Sequence, residues 1–66
     1  MRVSVNGTER DVAQGLTLGE LVRELDLEGR PFAVELNREV VRKARLADTP
    51  LREGDRVEIV SLAGGG

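Results

Sequence analysis

A single amphipathic helix, placed between segments that alternate like β-strands, is the feature that most limits the fold of this chain. The apolar residues of the helix recur at the i, i+3, i+4, i+7 spacing that puts them on one face, and they are Leu18, Leu21, Val22 and Leu25. Thr17 and Glu20 have the T-x-x-E spacing of a capping box, in which each side chain satisfies a backbone donor of the other residue. The pattern predicts a helix over residues 17–25.

Strand patterns stand on both sides of this helix. Residues 2–6 alternate polar and apolar, Asn6-Gly7 is a strong hairpin signal, and residues 8–12 form the returning strand. After the helix, residues 32–36 and 39–41 flank a turn at Asn37-Arg38, and residues 56–62 form the last strand. Residues 42–56 carry turn signals and are predicted as a long connection that Leu46 and Leu51 tie to the core.

This order predicts an α+β fold, in which one mixed sheet of four to five strands packs on one helix. The first and last strands can pair in parallel at the sheet centre, because the helix and loops supply the long crossover that parallel pairing needs. Residues 1–62 are predicted to form this ubiquitin-like β-grasp domain, and residues 63–66 are predicted to form a flexible C-terminal tail.

The composition excludes most kinds of catalytic site. The 66 residues include no cysteine and no histidine, so a thiol nucleophile, an imidazole base and a zinc site are not available. A net charge of −2 and a single aromatic residue, Phe32, argue against nucleic-acid binding. Because the chain lacks cysteine and histidine, we expect that it is not an enzyme. Met1 leads directly into strand-like sequence, so we expect a cytoplasmic protein that has no membrane segment.

The last predicted strand changes character along its length. Val57, Ile59 and Ser61 share one face and are predicted to face the core, whereas Val60 and Leu62 follow Arg56 and Glu58 on the other face. An apolar patch at the root of a tail is what a docking protein needs, so Val60, Leu62 and Ala63 are the predicted partner-docking residues.

A run of three glycines, Gly64 to Gly66, follows this strand. Glycines have no side chain to pack, so the fold does not need them, but they can thread a narrow channel and adopt unusual backbone angles there. The four residues of the tail can span about 13–14 Å at ~3.3–3.6 Å per residue. The carboxylate of Gly66 would lie at the tip, where another enzyme would have to activate it.

Several segments together resemble the thiamin-biosynthesis sulfur carrier family, ThiS, and they are FAVELN (32–37), EVV (39–41), TPL (49–51), GDRVEIV (54–60) and GGG (64–66). The resemblance covers nearly the whole chain, and molybdopterin-type (MoaD-like) carriers are close relatives of the family. It departs at Arg42-Lys43, where members often have Pro-Arg, and at Leu46, near which a Trp is common. These departures leave the client enzyme open.

The resemblance implies a defined cycle for the chain. An E1-like adenylating enzyme (ThiF-like) uses ATP to adenylate Gly66, while Gly64 and Gly65 thread into the active site. Sulfur from a cysteine-derived persulfide, supplied through a cysteine desulfurase, then displaces AMP and leaves a thiocarboxylate. A thiazole synthase (ThiG-like) takes up that sulfur. The carrier itself would bind no cofactor, since ATP belongs to the activating partner.

Three alternatives remain open on the sequence. The chain can be a carrier for another sulfur pathway, such as that of molybdopterin or cysteine. It can be a ubiquitin-like modifier that is joined to lysines, or an interaction module whose tail is inert.

Overall fold

In a computed structural model, residues 1–27 and 31–61 are described, and they form five strands and two helices. The elements in chain order are β1 (Arg2–Val5), β2 (Thr8–Asp11), α1 (Leu18–Glu24), β3 (Phe32–Leu36), β4 (Glu39–Val41), α2 (Lys43–Leu46) and β5 (Arg56–Ser61). The strands form one sheet in the order β2-β1-β5-β3-β4. Strands β1 and β5 are parallel and the other neighbours are antiparallel. The predicted mixed sheet with a parallel central pair is therefore confirmed.

Both predicted hairpins turn through residues with positive φ. Asn6 and Gly7 have φ of 50° and 85°, and Asn37 and Arg38 have φ of 51° and 73°. Two successive positive φ values are the mark of the tight turns that match the twist of adjacent strands. Strand β1 ends at Val5, one residue earlier than predicted, because Asn6 already has turn geometry.

Helix α1 begins as the capping box predicts. The Glu20 N–H donates to Thr17 Oγ1 at 3.1 Å, and the Thr17 N–H donates to Glu20 Oε1 at 2.9 Å. Leu18, Leu21 and Val22 are buried, and Leu25 caps the C-terminal end of the helix while packing on the core. The buried core comprises Val3, Val5, Leu18, Leu21, Val22, Val34, Leu46, Leu51 and Val57.

The connection before β5 differs from the prediction, because it contains the one-turn helix α2. Its cap residue, Arg42, makes no side-chain capping bond, and four residues are too short to show a helical period. Tertiary contacts stabilise the turn instead. Leu46 is buried, as predicted, and a Cβ added at Gly19 of α1 would lie 3.1 Å from the backbone N of Ala47, so the two helices approach closely.

The loop that follows α2 is hydrogen-bonded to the start of α1. The Leu18 N–H donates to the Thr49 carbonyl at 2.7 Å, and the Leu51 N–H donates to the Leu16 carbonyl at 2.8 Å. Leu51 is also buried. The predicted role of Leu46 and Leu51 in tying this connection to the core is confirmed.

The capping box makes the stability of the fold sensitive to acid. The hydrogen bond from the Thr17 N–H, followed by the bond with the Thr17 hydroxyl, lowers the pKa of Glu20 below its ordinary value of 4.5. A carboxylate with a lowered pKa contributes stability above its unfolded pKa, and that stability is lost as the pH falls through the folded pKa.

We therefore expect Glu20→Gln to lower the melting temperature more at pH 7 than at pH 3. Glutamine can still accept the cap hydrogen bond, but without the charge that strengthens it. Thermal unfolding at the two pH values measures the difference, and Glu24→Gln removes a charge from the exposed side of the same helix as a control. An equal effect of Glu20→Gln at both pH values would contradict the role of the cap charge.

Candidate functional site

Strand β5 lies at the centre of the sheet and runs toward the predicted tail. Val57, on the core face, is only 1% exposed, and Ile59 is partly buried on the same face. Val60 points to the opposite face and is 49% exposed. The predicted division of the strand into a core face and an outer face is correct for Val57, Ile59 and Val60, whereas Ser61, at the end of the core face, is exposed.

Five of the predicted site residues lie outside the described residues, and they are Leu62, Ala63, Gly64, Gly65 and Gly66. Their predicted roles in docking, threading and modification remain predictions. Val60 is thus the one predicted site residue whose surroundings the structure describes.

The outer face near Val60 also carries Val40, which the sequence analysis did not single out. In the strand register Val40 is opposite Glu35, Glu35 is opposite Glu58, and Val60 is opposite Ala33. Val40 is 70% exposed. The sequence did contain a signal for this exposed valine. Val40 and Val41 are adjacent in a strand, so only one of them can face the core.

The charge on this outer face is uneven. Glu35 and Glu58 are directly opposite each other on neighbouring strands, an arrangement of like charges that disfavours the pairing. Among residues 1–27 and 31–61, both ion pairs are made by Arg2, on strands β1 and β2. Arg2 Nη1 lies 2.9 Å from Glu9 Oε1, and Arg2 Nε lies 3.2 Å from Asp11 Oδ1.

Two regions of the outer face follow from this charge distribution. On β1 and β2 the carboxylates of Asp11 and Glu9 raise the pKa of Arg2 through hydrogen bonds, and the opposite charges offset each other. On β3, β4 and the part of β5 beyond Arg56, the exposed Val40 and Val60 accompany two acidic side chains, Glu35 and Glu58. Arg56 is on the same face of β5 but lies opposite Ser4 of β1. We call this second region the acidic apolar face, and it comprises Ala33, Glu35, Val40, Glu58 and Val60.

An open groove lies on the core side of the same sheet end, with a volume of about 270 Å³. Its walls are the C-terminal end of α1 and the neighbouring ends of the strands, formed by Val5, Asn6, Leu25, Leu27, Pro31, Phe32, Ile59 and Ser61. None of these side chains titrates near neutral pH. The described part of the groove lining therefore offers no acid or base that could catalyse a reaction.

The described residues hold no other set of groups suited to chemistry. They contain no cluster of three potential metal ligands, and none of their helices is long and apolar enough to cross a membrane.

Comparisons with known proteins agree with this arrangement. The model of the ThiS family matches residues 3–66. The sulfur carrier protein ThiS of Thermus thermophilus is 42% identical over 64 residues, which are 97% of this chain and 98% of that protein. A thiazole synthase of Paramagnetospirillum magneticum is 39% identical over the 66 residues of the chain, which spans only 20% of its length.

A solved structure gives the same result for the fold. The crystal structure of the thiamine biosynthesis protein ThiS from Geobacter metallireducens superimposes with a TM-score of 0.84 at 35% identity, and the match covers 100% of both chains. The predicted ubiquitin-like β-grasp fold is confirmed. The chain belongs to the ThiS family, the family of the sulfur carrier protein of thiamine biosynthesis.

Proposed function

We propose that this chain carries sulfur for thiazole formation as a thiocarboxylate on Gly66, and that it acts as a substrate of other enzymes and not as an enzyme. The observation that carries the proposal is the similarity, over almost the full length of both chains, to the sulfur carrier of Thermus thermophilus. The lack of titratable side chains in the described groove supports it, because the carrier would need no acid or base of its own.

The proposed cycle starts at the α-carboxylate of Gly66. An E1-like adenylating enzyme (ThiF-like) directs a carboxylate oxygen onto the α-phosphorus of ATP, which forms the acyl adenylate and releases pyrophosphate. The terminal sulfur of a persulfide, made by a cysteine desulfurase, attacks the acyl carbon and expels AMP. A thiol then cleaves the sulfur–sulfur bond, which leaves the thiocarboxylate on Gly66 and a disulfide on the donor side.

The proposed acceptor of the sulfur is a thiazole synthase. Two relatives called thiazole synthase, from Paramagnetospirillum magneticum and Magnetococcus marinus, each contain a segment that aligns with the whole of this chain. A carrier-like segment and a synthase that share one polypeptide meet at a high effective concentration. This linkage supports a direct contact between the separate proteins.

The proposed docking surface is the acidic apolar face together with Leu62 and Ala63. Exposed apolar residues beside charged ones are typical of protein interfaces. The negative charges of Glu35 and Glu58 favour a basic surface on the partner. Gly64 and Gly65 would then thread the partner's channel. We also propose the cytoplasm as the location, since adenylation requires ATP.

Intact-mass spectrometry of the 66-residue protein tests this proposal. After incubation with ATP, a ThiF-like enzyme, a cysteine desulfurase and cysteine, we expect a mass shift equal to the replacement of one oxygen by sulfur at the C-terminus. Removal of Gly65 and Gly66 should abolish the shift and leave the melting temperature nearly unchanged, because no side chain of the core is lost.

The other outcomes of this experiment identify the alternatives. Attachment to protein lysines would indicate a modifier, and no ATP-dependent change would indicate an interaction module. Sulfur transfer to a molybdopterin precursor, but not to a thiazole synthase, would assign the carrier to that pathway.

A further inference from the structure

The two neighbours of β5 end at different points along it. Strand β3 is paired with β5 as far as Phe32 opposite Ser61, the last described residue of the strand. Strand β1 is paired with β5 only as far as Val5 opposite Val57, because the chain turns at Asn6. Beyond Val57, the backbone of β1 therefore no longer supports the strand that leads into the tail.

The side chain of Asn6 continues the hydrogen bonding where the backbone of β1 ends. The Asn6 N–H donates to the Val57 carbonyl at 2.9 Å, and Asn6 Oδ1 accepts from the Ile59 N–H at 2.8 Å. If β1 continued as a strand beyond Val5, the backbone carbonyl of Asn6 would accept the Ile59 N–H. The side-chain oxygen of Asn6 takes the place of that carbonyl. The bond joins residues 53 positions apart in the chain.

The hairpin itself does not require this contact. Asn6 has a φ of 50°, and glycine adopts that conformation at least as easily. Turn geometry therefore explains why a residue that tolerates positive φ is present, but it does not explain a side-chain acceptor 2.8 Å from β5. The hydrogen bond from the Ile59 N–H to Asn6 Oδ1 is therefore a second role of Asn6, separate from its role in the turn.

The second hairpin offers a natural comparison at the other end of β5. Asn37 has a φ of 51°, and its Oδ1 accepts from the Arg56 N–H at 3.0 Å, at the start of the strand. Its Nδ2 also donates to Asp55 Oδ1 at 3.1 Å. Asn37 makes at least as many side-chain hydrogen bonds as Asn6, but at the end of β5 that is remote from the tail.

We infer that Asn6 is a positioning residue for the tail: through Ile59 it fixes the end of β5, and so it sets the place and direction from which residues 62–66 enter the active site of a partner. The inference rests on the proposed function, because it assumes that the tail is the reacting part. Without this bond, the described end of β5 beyond Val57 would be paired with a strand on one side only, that of β3. Reaction at a carboxylate several residues further on is sensitive to such a change, since a displacement of about 1 Å can slow an enzymatic step ~100-fold.

Asn6→Gly tests the inference, with Asn37→Gly as the matched control. Both substitutions keep a residue that tolerates positive φ, and both remove a side-chain acceptor from a backbone N–H of β5. With a ThiF-like enzyme and ATP, pyrophosphate exchange should have a maximal rate lowered ~10- to 100-fold for Asn6→Gly and less than about threefold for Asn37→Gly. The KM for the carrier should change little in either variant, because the acidic apolar face is intact.

Amide hydrogen exchange of the isolated carrier supplies a readout that needs no partner. The Ile59 amide should exchange about three- to tenfold faster in Asn6→Gly, which is the change expected from the loss of one hydrogen bond. Asn6→Asp keeps an oxygen acceptor and tolerates positive φ, so it should restore both the protection of Ile59 and the rate of pyrophosphate exchange.

The outcomes separate this inference from the proposed function. If the wild-type protein supports no pyrophosphate exchange, the proposed function fails. If it supports exchange, but Asn6→Gly reacts as fast as Asn37→Gly, or loses activity only through a higher KM, the positioning role is wrong and the carrier function stands. Melting temperatures of all the variants ensure that rates are compared between folded proteins.

Discussion

Val57→Asp is expected to leave the protein unfolded at 25 °C. Val57 is 1% exposed and lies on the central strand within the buried core. A carboxylate at this position would be buried without a partner, at a cost of several kcal/mol, while a domain of this size has only about 3–5 kcal/mol of stability from its core. Far-UV circular dichroism and urea unfolding measure the outcome.

Val60→Asp is the matched control, because it makes the same substitution on the same strand. Val60 is 49% exposed on the outer face, so aspartate there remains hydrated and should cost about 1 kcal/mol of stability, mainly through its low strand propensity. The variant should fold but bind the adenylating enzyme at least about fivefold more weakly, as expected if Val60 contributes 1 kcal/mol or more to docking. Unfolding of both variants, or normal binding by Val60→Asp, would contradict the assignment of the two faces.

Addition of one alanine after Gly66 is expected to reduce adenylation ~100-fold or more while the domain folds and docks normally. The extended protein keeps its net charge and a terminal carboxylate. The reacting carbon, however, moves ~3.3–3.6 Å along the tail, and a methyl group enters a channel that we propose admits glycine. Pyrophosphate exchange with the ThiF-like enzyme and ATP is the measurement.

A second extension, by one glycine instead of alanine, separates length from side-chain size. If position alone matters, both extended proteins should lose activity equally, whereas partial activity of the glycine extension would assign part of the effect to the methyl group. If the protein extended by alanine supports exchange at the normal rate, the adenylating enzyme accepts any terminal carboxylate. The proposed role of the glycine tail would then be wrong.

Local sequence signals determined most of the elements of this fold. The capping box at Thr17 and Glu20 set the start of α1, and Asn6-Gly7 set the first hairpin, because both depend on residues within a few positions of each other. The alternation in β3 and β5 assigned Val34 and Val57 to the core for the same reason, since the side chains of a strand change face at every residue. The resemblance to the ThiS family extended this local information to the tail.

Contacts between distant parts of the chain decided the rest. The helical turn α2 depends on the burial of Leu46 against the core, and the exposure of Val40 depends on the register between β3 and β4. The hydrogen bond from the Ile59 N–H to Asn6 exists only because β1 and β5 are parallel neighbours and β1 turns before β5 ends. A sequence pattern reports the neighbours of a residue along the chain. It does not report how far two paired strands overlap, and that overlap is what brings Asn6 to the strand that leads to the tail.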